Sequence, residues 1–193
     1  MRKKINLLTV TLVCAMLMLV SGCASQQKGV YFNELMDFAA IQTVAVMPFQ
    51  NLTDEEDAAE RVRDVFMNML LATEAVYVLP PGEVHRGITR VGMIDPATPS
   101  VEEIQRLAGI LENEVVITGT LREYEILRSG PSTANIISLS LQMIESEAGA
   151  IIWSASCTKG GVTVMDRLFG GGGEPMNQIT LECVDELLNK LFK

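Results

Sequence analysis

Thr43-Val44-Ala45-Val46-Met47-Pro48-Phe49 is a compact run, apolar at nearly every position and rich in β-branched residues. A short run of this kind reads as a strand buried on both faces, because a strand with one wet face would alternate apolar and polar residues. Downstream, Asn51-Leu52-Thr53-Asp54 turns the chain. The acidic residues Asp54, Glu55, Glu56 and Asp57 then suit the positive end of a helix dipole. The same run could hold a cation, but a helix start is its commoner use. The helix expected from about Ala58 to Thr73 gathers Val62, Val65, Phe66, Met69 and Leu70 on one face.

The next segments repeat the alternation of strand and helix. Val76–Leu79 reads as a short strand stopped by Pro80 and Pro81, and residues 82–90 read as a short helix. Asp95-Pro96 and Thr98-Pro99 mark a loop. Ser100 and Glu103 have capping-box spacing, opening a helix to about Leu111 with Ile104, Leu107 and Leu111 inward. A meander follows. Val115, Ile117 and Leu121 keep period two, and the phase then moves to Tyr124 and Ile126, which predicts a β-bulge near Arg122 or Glu123. Residues 136–144 alternate, with Ile137, Leu139, Leu141 and Met143 inward and Ser138, Ser140 and Gln142 outward. Glu147-Ala148-Gly149 turns into a strand over 150–158 with Ile151, Trp153, Ala155 and Cys157 on one face. The last helix, from about Pro175 to Phe192, lines up Ile179, Cys183, Leu187 and Leu191 beside Val184 and Leu188. The order predicts an α/β fold: a single three-layer domain, one mixed β-sheet with helices packed on it.

The first residues follow a different logic. Arg2, Lys3 and Lys4 precede an apolar stretch from Ile5 to Val20, too short for a comfortable membrane span. Leu19-Val20-Ser21-Gly22-Cys23 then resembles the lipobox of bacterial lipoproteins: an aliphatic residue, two small residues and a cysteine. Residues 1–22 are therefore read as a signal peptide cleaved between Gly22 and Cys23, and Cys23 as the lipidated residue. Residues 23–29 are the anchor and a short polar tether, and residues 30–193 the periplasmic domain. Each buried methylene contributes about 0.8 kcal/mol, so two or three acyl chains hold stably where one does not. Ala24 and Ser25, rather than an aspartate, follow the cysteine, which implies export to the outer membrane. Of the 15 lysines and arginines, three leave with the signal. The mature chain keeps 12 against 24 acidic residues, a net charge of −12. Such a surface repels phosphate backbones, which argues against nucleic acid and leaves membrane attachment to the acyl chains.

No catalytic or metal-binding set emerges. His85, the one histidine, has no partner at a readable spacing. Gly170-Gly171-Gly172-Gly173 lacks the Lys-Ser/Thr of a phosphate loop, since Glu174-Pro175 follow. Cys157 and Cys183 both fall on expected core-facing positions. An oxidising compartment permits a disulfide between them, and two buried free thiols are the alternative. No small-molecule cofactor and no metal are expected.

Three segments carry a family resemblance: Val44-Ala45-Val46-Met47-Pro48-Phe49-Gln50-Asn51; Val115-Val116-Ile117-Thr118-Gly119-Thr120-Leu121; and Ser138-Leu139-Ser140-Leu141-Gln142-Met143-Ile144 leading to Gly149-Ala150-Ile151-Ile152-Trp153. In their order, over residues 43–160, the chain resembles the CsgG-type lipoproteins. That superfamily includes the curli secretion lipoprotein and the LpoB-type activators of penicillin-binding proteins. The resemblance implies a fold like the N-terminal domain of TolB. It departs in two places. Arg128–Asn135, read as the loop between the first two meander strands, cannot supply a hairpin of transmembrane strands of about 9–11 residues each. The tether of six residues, Ala24–Gly29, reaches only about 20 Å. The function expected is that of an outer-membrane-anchored, non-enzymatic module that binds other envelope proteins or copies of itself. A subunit of a CsgG-like secretion complex is the alternative, and a cell-wall hydrolase stands behind both.

Overall fold

The computed structural model describes residues 29–129, 132–161 and 173–192. The signal, Cys23 and most of the tether lie outside them, as does the glycine run 170–172. Among the described residues the chain forms β1 (Val30–Phe32), a 3-10 turn (Phe38–Ala40), β2 (Thr43–Val46), β3 (Gln50–Asn51), α1 (Ala58–Ala72), β4 (Tyr77–Val78), α2 (Pro81–Val91), α3 (Val101–Leu111), β5 (Val115–Ser129), β6 (Ser132–Glu145), β7 (Ile151–Gly160) and α4 (Met176–Leu191). One mixed sheet runs β1-β7-β6-β5-β2-β4, with β3 also paired to β5. β2, β3 and β4 join by parallel pairing, and β1, β6 and β7 by antiparallel pairing.

The alternation along β2 sets the layers. Val44 and Val46 face a large core shared with α1, α4 and the inner face of the meander. Ala45 and Met47 face a second core built with α2 and α3. Helices thus cover both faces of the parallel part, as a doubly apolar strand requires. On the second face of the meander Val116 and Ile144 join the second core, and beyond them the face turns polar, with Ser138 opposite Thr158 and their hydroxyls 3.1 Å apart.

The helix boundaries follow the sequence closely. Ser100 accepts from the Glu103 amide at 3.3 Å while Glu103 accepts from the Ser100 amide at 2.8 Å, completing the capping box. Val62, Phe66 and Leu70 of α1 are buried as expected, joined by Arg63. Its guanidinium donates to the Val46 carbonyl at 2.9 Å and to Glu60 at 2.9 Å. A buried cation needs such partners, and here they tie α1 to the end of β2.

Three expectations change. The run 43–49 is not one continuous strand, for pairing stops at Val46 and resumes at Gln50. Pro48 has no N–H to give, and one extra residue bulges out between the Val46–Ile117 and Gln50–Thr120 pairs. The described residues of 128–135 are strand rather than loop. Arg128 pairs with Thr133 and Ser129 with Ser132, so β5 and β6 extend to those residues. Antiparallel pairing is a backbone property that polar side chains do not prevent, and the alternating apolar signal fades where no helix covers the sheet. The part lying beyond the last β7 pair, Gly160 with Ile136, is only Ile126–Ser129 and Ser132–Asn135, still short of membrane-spanning length. Ile151 is exposed, because a register shift beside Ile144 makes Ile152 the extra residue and buries it instead. The acidic run does end at the start of α1, with Asp57 at the N-cap position, where its side chain makes no capping bond.

Candidate functional site

The residues singled out for chemistry do not converge. His85 lies exposed on α2. Glu55 of the acidic run is paired with Arg61 at 2.8 Å. No group of three His, Cys, Asp or Glu among the described residues is arranged to hold a metal. Gly22 and Cys23 lie outside the described residues. Cys157 and Cys183, by contrast, are brought together. Both are free, buried thiols of the same core cluster. The neighbouring Cys157, then burial, pushes the Cys183 thiol well above its ordinary value.

An open cleft of about 770 Å³ lies elsewhere. Its walls are the loop after β3 (Leu52–Glu55) with Arg61 of α1, the stretch Arg122–Ile126 of β5, and Asn135 with Met176 and Asn177. Its shape has local causes. Asn51 donates to the Glu55 and Glu56 carbonyls at 2.7 and 3.1 Å, and accepts from the Thr53 amide and hydroxyl at 3.1 and 2.8 Å. One side chain therefore holds the whole loop as an Asx turn. On the opposite wall, Leu121 pairs with Leu139 and Glu123 with Ser138, leaving Arg122 as the bulged residue. The bulge turns Tyr124 and Ile126 to the face that Leu121 occupies. Tyr124 is half-buried against the large core, whereas Ile126 lies beyond it and is 61% exposed. The Arg61 guanidinium bridges the walls, 5.8 Å from the Tyr124 ring centroid.

The cleft also holds an open backbone edge. β5 pairs with β6 on one side along its full length, but with β2 and β3 on the other only as far as Leu121. Beyond that residue, among the described residues, the cleft-facing edge of β5 has no strand beside it. Apolar Leu52, Tyr124 and Ile126 flank this edge, with charges of both signs around them. An open edge with apolar flanks is the form in which a sheet takes up an extended peptide.

Register also places the chain's exit. β1 runs antiparallel to β7, and the Ser156 amide donates to the Gly29 carbonyl at 3.4 Å. Gly29 therefore lies from Val30 toward the C-terminal end of β7, the end of the sheet where β5 stops, β6 starts and the cleft opens. No helix among the described residues is long and apolar enough to cross a membrane.

Sequence reading found the bulge at Arg122 but not the cleft. Asn51 stood in the right turn without a visible partner, and the free edge depends on where β3 stops, which Pro48 sets from a distance.

No family model matches the chain, and neither does any curated protein. Solved structures do. The PelC dodecamer from Paraburkholderia phytofirmans is 15% identical over 84% of this chain and 94% of its own, at a TM-score of 0.55. The lipoprotein GNA1162 from Neisseria meningitidis is 18% identical over 77% of this chain and 99% of its own, at 0.54. The chain shares its fold with these two proteins. The LpoB C-terminal domain from Escherichia coli is 15% identical over 64% of this chain and 87% of its own, at 0.48.

Proposed function

We propose that the protein is a lipid-anchored, non-enzymatic envelope module that captures an extended segment of another envelope protein in the β5 cleft. The observation that carries this is the β5 edge that no described strand pairs beyond Leu121, lying in an apolar-flanked cleft at the end of the sheet toward which Gly29 lies. A peptide strand added there would gain main-chain hydrogen bonds from β5, with Leu52, Tyr124 and Ile126 receiving alternate side chains. The lipobox-like Leu19–Cys23, the basic n-region and the apolar stretch after it support the anchor, and Ala24-Ser25 support the outer membrane. A tether of about 20 Å at most keeps the cleft near that membrane. Partners within reach are therefore proteins of the same surface. The sequence resemblance to CsgG-type lipoproteins fits the same setting.

A second reading is that the captured segment belongs to another copy of this chain, as in a subunit of an export assembly. PelC, of the same fold, is a dodecamer, and that precedent favours it.

Cross-linking in intact cells separates the outcomes. With wild-type protein, a discrete adduct is expected. Ile126→Asp is expected to remove most of it, since the charge would be buried against the incoming strand. An adduct whose mass is a multiple of this chain supports self-assembly, and one containing a different protein supports the first reading. An adduct equally strong with Ile126→Asp would rule out the cleft.

A further inference from the structure

We propose that Cys157 and Cys183 are joined by a disulfide in the mature protein, stapling α4 to β7. Cys157 sits on the inner face of β7 and Cys183 on the inward stripe of α4. Both are buried in the same large core, where α4 packs on β7. Two polar contacts hold helix and strand in register around the pair. Lys159 lies 2.6 Å from Glu186, and Lys190 donates to the Ser156 carbonyl at 2.9 Å. These contacts hold the α4 residues that follow Cys183 against the β7 residues that flank Cys157, so the two cysteines lie on packed, registered elements of one core.

The proposal rests on the reading that the chain is exported, since a reducing compartment would keep the pair as thiols. On that reading Cys14 leaves with the signal and Cys23 carries the lipid. Cys157 and Cys183 then have only each other within the chain. Closure consumes a disulfide supplied by an envelope thiol oxidant. One deprotonated sulfur of this chain attacks the oxidant's S–S bond, forming a mixed disulfide and releasing one oxidant thiolate. The second sulfur then displaces the remaining oxidant sulfur. The chain loses two electrons and two protons, and the oxidant becomes a dithiol. Because both sulfurs are buried in the folded domain, the exchange occurs while α4 is still undocked. Once closed, the bond is sheltered from reductants by the same burial.

The test uses the full-length lipidated protein from its native envelope. It is denatured without reductant in the presence of an alkylating maleimide, then digested and weighed. Expected is a joined peptide pair containing Cys157 and Cys183, lighter by two hydrogens than the two thiol peptides and alkylated only after reduction. In Cys157→Ala and Cys183→Ala the remaining thiol is expected to react at once. If these variants fail to accumulate, the wild-type mass still decides. Two alkylated cysteines in protein whose Cys23 is acylated would overturn the disulfide and leave the anchor standing. The same result in a chain that keeps its signal would overturn the disulfide and the export reading together.

Discussion

Phe49 lies against Gly119: a Cβ placed on Gly119 would come 2.6 Å from Cδ1 and 2.7 Å from Cγ of the Phe49 ring. The two residues belong to different segments, one just before β3 and one within β5. Phe49 in turn stacks obliquely on Phe66 of α1, with centroids 5.9 Å apart. The glycine in Ile117-Thr118-Gly119 is therefore a packing residue that admits the ring between sheet and helix.

Gly119→Ala is expected to destabilise the domain by about 1–3 kcal/mol, since the clash is with the base of the ring rather than a flexible tip. Phe49→Leu should lose ring contacts but relieve the clash. The double variant should then cost less than the sum of the two. Urea unfolding followed through Trp153, the single tryptophan and fully buried, reads this directly. Strict additivity would show that the ring and the glycine are independent.

The capping box gives a local test. Ser100→Ala removes the acceptor for the Glu103 amide and should cost about 1 kcal/mol. Adding Glu103→Ala should cost little more, because the two bonds close the same helix end. Thermal unfolding of the three variants measures it.

Stability should also respond to acid through Glu186. Burial pushes its carboxyl upward, but the hydrogen bonds and charges of Lys159 and Lys190 outweigh that and hold it below the usual carboxylate range. A folded value below the unfolded one means that the contribution is present above about pH 4.3 and fades as pH falls through the lower folded value. Asp95, held down by the Thr98 hydroxyl and the Ala97 amide, adds in the same direction. Glu186→Gln should therefore be less stable than wild type at pH 7 and approach it in acid. Urea midpoints across that range check the sign.

Ile126→Asp should leave folding stability within about 0.5 kcal/mol of wild type, because the side chain is 61% exposed and outside the cores. A large loss in the same urea assay would mean that this residue serves the fold rather than a partner.

Much of the fold was legible because apolar spacing dictates it. Val62, Phe66 and Leu70 specified α1, Ile137, Leu139, Leu141 and Met143 specified β6, and the phase change at Arg122 specified the bulge. What escaped depends on relations between segments. The break at Pro48 moved β3 along β5 and so decided where β5 loses its neighbour. The extension of the β5–β6 hairpin to Ser129 and Ser132 is carried by backbone pairing among polar residues, which leave no periodic trace. Arg63 reads as a surface charge in a helix until the Val46 carbonyl is found beneath it. Cys157 and Cys183 were each legible as inward-facing, but their meeting in one core follows from how α4 lies on β7.

The central claim is that the β5 cleft holds a protein segment at the membrane. Its most direct test is a photo-reactive residue placed at Ile126 in growing cells, compared with the same residue at Thr158 on the uncovered polar face of the sheet. The account predicts a discrete protein adduct from position 126, none from position 158, and loss of the first when Cys23→Ala removes the anchor. No adduct at 126, or equal adducts at both positions, would contradict it.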